Sequence, residues 1–142
     1  MSASTNHRAH VLVMNDTQEV LDVVQMLLEE EGYRVSTSLH TLDIARIRDL
    51  APDVIVLDLV FEHQLKGWHF LTLVRLDRRL CRVPLILCTA AVKTVEPMRA
   101  NLAAQQVRIV YKPFDIETLL AEIDAAALGL LVPLAVDVPM AD

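Results

Sequence analysis

At 142 residues, with 54% apolar and 23% charged side chains and only 3 glycines, the chain matches one domain with a sizeable core. It does not match a disordered chain, a collagen-like repeat or a flexible linker. Its 13 Lys+Arg against 19 Asp+Glu leave a net charge of -6, which repels phosphate backbones and argues against direct contact with nucleic acid or an anionic membrane.

The first eight residues carry no apolar run and are expected to be a flexible lead-in, not a signal peptide. Val11 to Met14 is apolar on both parities and ends at Asn15-Asp16, as a buried parallel strand does. Val20, Val23, Val24, Leu27 and Leu28 then follow helical spacing. Asp16 and Glu19 have capping-box spacing, and Gly32 is a natural stop. Tyr33 to Thr37 is a second strand, and Thr41 to Leu50 a second helix. Val54 to Leu57 repeats the first strand's pattern and ends at Asp58.

A polar loop from Phe61 to Lys66 leads to a helix over Trp68 to Arg78, with Phe70, Leu71, Leu73 and Val74 packing inward. Pro84 opens a fourth strand, Leu85 to Cys88, ending at Thr89. A helix is expected over Thr94 to Gln106, with Pro97 tolerated only in its first turn. Val107 to Tyr111 is a fifth strand ending at Lys112-Pro113. Asp115 then caps a helix whose stripe is Ile116, Leu119, Leu120, Ile123 and Ala127.

Five strands alternating with five helices predict a doubly wound parallel sheet with helices on both faces. Ligands of such sheets sit at the carboxyl ends of the strands. Those ends carry Asn15, Asp16, Asp58, Thr89 and Lys112. Two carboxylates suit a hard cation such as Mg²⁺, and a hydroxyl with an ammonium suits phosphoryl oxygens. The set fits phosphoryl transfer to a carboxylate, with Asp58 as nucleophile.

The segments VLVMND (Val11 to Asp16), VIVLDL (Val54 to Leu59), PLILCTA (Pro84 to Ala90) and YKPF (Tyr111 to Phe114) resemble the receiver domain of two-component response regulators. The resemblance covers residues 9–128 and leaves an apolar tail over 129–142. It implies a flavodoxin-like (βα)5 fold with strand order 2-1-3-4-5, like that of single-domain chemotaxis receivers. It further implies that Asp58 accepts a phosphoryl group from a histidine kinase or phosphotransfer protein. Mg²⁺ would be held by Asp16, Asp58 and the backbone carbonyl of Val60, with Asn15 acting through water. Thr89 and the backbone amide of Ala90 would receive phosphoryl oxygens. Lys112 would pair with the phosphoryl group, and Pro113 would fix its loop through a cis bond. The implied protein is a cytoplasmic signalling module and not a turnover enzyme.

Several departures from the family stand out. Asn15 replaces the first of two acids, the Asp58–Gly67 spacing of nine is one longer than is common, and Ile109 replaces the aromatic switch residue. Gln105 stands near the usual glycine before the fifth strand. By strand alternation Tyr111 shares a face with Ile109. The expected function is a stand-alone receiver that signals by protein contact or phosphorelay to a further protein. The alternative is a pseudo-receiver, an interaction module that is not phosphorylated. A flavin or nucleotide-binding protein is disfavoured because MNDTQEV holds no glycine-rich loop. An aspartyl phosphatase is disfavoured because Val60, not Asp, stands two residues after Asp58.

Other features read as structural. Cys81 and Cys88 are too far apart along the chain to bridge across one strand, so both are expected to be free thiols in a reducing compartment. Arg75, Arg78, Arg79 and Arg82 read first as a solvated helix face, with docking of an acidic partner as the lesser reading. The tail is expected to pack in extended form, on its own domain or in a homodimer.

Overall fold

The computed structural model describes residues 9–40, 42–58, 66–90, 92–112 and 115–129. Five strands form one parallel sheet: β1 (His10–Met14), β2 (Arg34–Ser38), β3 (Val54–Asp58), β4 (Leu85–Thr89) and β5 (Val107–Tyr111). Their order is β2-β1-β3-β4-β5, as the family resemblance implies. The central strands β1, β3 and β4 are buried along their whole length. That is why their sequences are continuous apolar runs without alternation.

The helices divide between the two faces. Helix α1 (Gln18–Glu30) and the final helix (Ile116–Gly129) cover one face, packing Leu21, Val24, Leu28, Leu119 and Ile123 on Val11, Val13, Val54, Val56 and Cys88. Helices α2 (Ile44–Leu50) and α3 (Lys66–Leu76) cover the other, with Ile47, Phe70, Leu71 and Val74 on Leu12, Ile55, Leu57 and Leu87. Asp43 caps α2 and Asp115 caps the final helix, each accepting from a backbone N–H three residues on at 2.9 Å.

Several local expectations are corrected. The Asp16–Glu19 capping box does not form: Thr17 is the N-cap of α1, with no side-chain capping bond. Leu21, Val24 and Leu28 are the buried stripe, while Val20 and Val23 are exposed, so the apolar face is rotated from the expected one. In α3, Leu73 faces outward. The helix expected over Thr94 to Gln106 is divided into α4 (Val92–Val95), a 3-10 turn (Glu96–Met98) and α5 (Arg99–Ala104). Pro97 sits inside the 3-10 turn, where its missing N–H breaks the α ladder. The final helix is therefore α6 (Ile116–Gly129). Arg75 is not part of a solvated face: its guanidinium donates to the carbonyls of Gln105 at 2.9 Å, Leu80 at 3.4 Å and Val83 at 2.8 Å. Both cysteines are free, Cys88 buried and Cys81 half-buried.

Candidate phosphoacceptor site

The candidate residues come together at the carboxyl edge of the sheet. Asp58 is the last residue of the fully buried β3, and its side chain is only 7% exposed. Burying a carboxylate is costly unless it is paired. Lys112 supplies the partner, its Nζ donating to Asp58 Oδ2 at 2.8 Å. The lysine is 35% exposed, so the pair sits at the boundary of core and solvent.

Asn15 adds a longer contact, its Nδ2 donating to the same Oδ2 at 3.4 Å. Its Oδ1 accepts from the backbone N–H of Thr17 at 2.9 Å, an Asx turn that leads the chain into α1. Asn15 therefore contacts Asp58 with one end and holds the loop with the other. Asp16 lies on the exposed side. Thr89, 1% exposed, ends β4, and Ala90 follows it into solvent. The backbone N–H of Lys112 donates to the Thr89 carbonyl at 2.8 Å, so the main chain sets the spacing of these two residues. Asn15, Asp58, Thr89 and Lys112 are thus on adjoining strand ends. Val60 and Pro113, which the resemblance brings to this site, lie outside the described residues.

Beside the site a cavity of about 720 Å³ runs between the α1 and α6 side of the sheet and α1 itself. Val13, Val20, Val23, Val24 and Val56 line it with Cys88, and Asn15, Asp58 and Lys112 also border it. Cys88 pairs in register with Asp58 across β3 and β4. Burial pushes its thiol up to about 12, so this sulfur beside Asp58 stays protonated and inert.

Two neighbours of the site were not foreseen from sequence. Tyr111, in register with Thr89, donates its hydroxyl to Glu96. Arg99 Nη1 donates to the same Glu96 oxygen at 2.9 Å, and its guanidinium lies 5.9 Å from the Tyr111 ring centre. The tyrosine hydroxyl and then Arg99 hold the Glu96 carboxyl below the usual range, and Glu96 holds the Tyr111 phenol above its own. Only the i,i+3 spacing of Glu96 and Arg99 was visible in the sequence. Ile109 and Tyr111 pack against the same core layer, as alternation predicted.

A profile of the response regulator receiver domain matches residues 11–124. The chain belongs to that family. Among curated relatives, the DNA-binding dual master transcriptional regulator RpaA of Synechocystis is 27% identical over 116 residues, 81% of this chain and 47% of that protein. The DNA-binding response regulator MtrA of Mycobacterium tuberculosis is 27% identical over 119 residues, 83% of this chain and 50% of that protein. The chain spans about half the length of these relatives. Among solved structures, the chemotaxis response regulator CheY4 of Vibrio cholerae superposes with a TM-score of 0.71 at 25% identity, over 84% of this chain and 98% of that one. The BeF3-activated DrrB receiver domain gives a TM-score of 0.64 at 25% identity, over 84% and 97%. No described helix of this receiver is long and apolar enough to cross a membrane.

Proposed function

We propose that this receiver is phosphorylated on Asp58 by the phosphohistidine of a histidine kinase or phosphotransfer protein, in the cytoplasm, and passes the signal on through protein contact or phosphorelay. The observation that carries this reading is the 2.8 Å pair between Lys112 Nζ and the buried Asp58 carboxylate. An Asp58 oxygen forms a bond to phosphorus as the bond from phosphorus to the donor imidazole nitrogen breaks, leaving an acyl phosphate. Lys112 then exchanges a carboxylate oxygen for a phosphoryl oxygen without moving far. Thr89 and the Ala90 amide stand on the adjoining strand end to receive the others. This is one transfer per signal, not turnover catalysis.

The donor chemistry fits Mg²⁺. Asp16 and Asp58 offer hard oxygens, and no described group of three His, Cys, Asp or Glu could enclose a metal. Mg²⁺ commonly takes one or two carboxylates, waters and phosphate oxygens. When bound, it would neutralise charge developing on the transferred phosphoryl group. Asn15 lowers the negative charge available to it, which is the observation favouring the pseudo-receiver reading.

The test is incubation with acetyl phosphate and Mg²⁺, followed by intact-mass and peptide analysis. One phosphoryl increment is expected, on the peptide holding Asp58 and absent from Asp58→Asn. A folded parent that gains no increment, from acetyl phosphate or from any phosphohistidine donor, is a pseudo-receiver. The DNA-binding named for RpaA and MtrA belongs to those proteins, and the net charge of -6 is a poor match for it here.

A further inference from the structure

Helix α1 and the turn after α3 present exposed charge of opposite sign. Helix α1 carries Glu19, Asp22, Glu29 and Glu30 and no basic residue. Asp22, Glu29 and Glu30 are exposed and enter no ion pair among the described residues. Between them stand Val23 and Met26, 48% and 53% exposed.

The opposite face of the sheet presents the complement. Helix α3 ends in Leu76, 75% exposed, with Leu73 one turn earlier at 39%. Arg78, Arg79 and Arg82 follow, all exposed and without an ion pair among the described residues. Their backbone is fixed. Asp77 accepts from the N–H groups of Arg79 at 3.0 Å and Leu80 at 3.1 Å and pairs with Arg48, while Arg75 gathers three carbonyls around it. A frame held this firmly reduces the entropy lost when the surface is covered.

We propose that α1 of one copy docks on the Leu76–Arg82 surface of a second copy. Each surface has an apolar centre and charges of one sign, and the signs are opposite. Complementarity of this kind orients partners and raises their encounter rate. Because the surfaces lie on opposite faces of the sheet, one molecule cannot satisfy its own pair. A two-fold dimer cannot close both contacts either. The association is heterologous and grows head to tail. Exposed ion pairs contribute little each, so the contact is weak, with a Kd on the order of 0.1 mM. This inference does not depend on phosphorylation of Asp58.

Sedimentation of the parent protein over a concentration series tests it. The weight-average sedimentation coefficient should rise up to about 1 mM with no plateau at dimer. Raising NaCl from about 0.05 to about 0.5 M should weaken association at least tenfold. A variant with Arg78→Glu, Arg79→Glu and Arg82→Glu should be monomeric, and so should one with Asp22→Lys, Glu29→Lys and Glu30→Lys. Mixed, the two should associate like the parent, since each then carries the mate of the other. Circular dichroism checks the fold of both, and the parent's salt series decides without them. A parent monomeric throughout, a closed dimer, association strengthened by salt, or a mixture that stays monomeric would each overturn the proposal.

Discussion

Asn15 shows how one amide can change a charged site without dismantling it. It keeps the loop through Thr17 and touches Asp58 through its nitrogen, where a second carboxylate would repel. Asn15→Asp should therefore lower the melting temperature in EDTA, because it brings like charge to a buried carboxylate. Mg²⁺ should then raise it by more than in the parent. Identical Mg²⁺-induced shifts in both proteins would remove position 15 from the metal's surroundings. His10 makes a different prediction. Burial, and then the charge of Arg34, hold its imidazole below the ordinary value of 6.5, against the opposing pull of Asp53. The unfolded chain therefore takes up a proton at a pH where the folded chain resists it. This contribution to stability is complete above about pH 6.5 and is lost as pH falls toward the lower folded value. His10→Gln keeps a side-chain nitrogen near Ser36 Oγ, which now lies 2.8 Å from His10 Nε2. Urea unfolding at pH 7.5 and 5.5 should show a shallower loss in the variant.

At the scale of elements, β5 is tied to the segment after β4 through Tyr111 and Glu96. Ile109 is branched at Cβ and has a small repertoire of side-chain positions. Tyr111 instead reaches Glu96 in the 3-10 turn, and its neighbour Lys112 holds Asp58. A phosphoryl group that draws Lys112 and Thr89 inward therefore pulls on Glu96 and Arg99 through Tyr111. Tyr111→Phe should leave phosphorylation by acetyl phosphate unchanged while shrinking the beryllofluoride-induced amide shifts over residues 92–104. If those shifts survive in Tyr111→Phe and vanish in Ile109→Ala, the isoleucine is the coupling residue. Short elements suit such a role. Helices α4 and α5, interrupted by Pro97, make few main-chain bonds and open at low cost.

Across the whole molecule, the sheet was the part most open to sequence reading. Continuous runs such as Val11 to Met14 and Val54 to Leu57, too short for a helix and closed by polar residues, read as strands covered on both faces. The helix faces were less open. In α1 the stripe beginning at Val20 and the one beginning at Leu21 have the same period, and only the tilt of the helix on the sheet decides between them. The split falls at Pro97 because a proline fits only a first turn, and here that first turn belongs to the 3-10 segment. Arg75 resembled its solvated neighbours because nothing in a sequence marks which guanidinium meets three carbonyls. Gln106, at φ 65, occupies the left-handed position before β5 that the missing glycine would fill freely. The residues of the site were legible because each closes a strand. Their partners Glu96 and Arg99 were not, because they meet the site across separate elements.

The placement of Asp58 at the end of β3 has a consequence for the protein's history as well as its chemistry. β3 lies at the centre of the sheet, between β1 and β4, and its amides should be among the slowest to exchange with deuterium. The exposed surfaces lie instead on α1, on the α3 turn and on the short helices beside the edge strand β5. A substitution there leaves the packing around Asp58 untouched. On the function proposed above, the lineage would exchange its correspondents while the acceptor carboxylate stays in the least negotiable part of the fold.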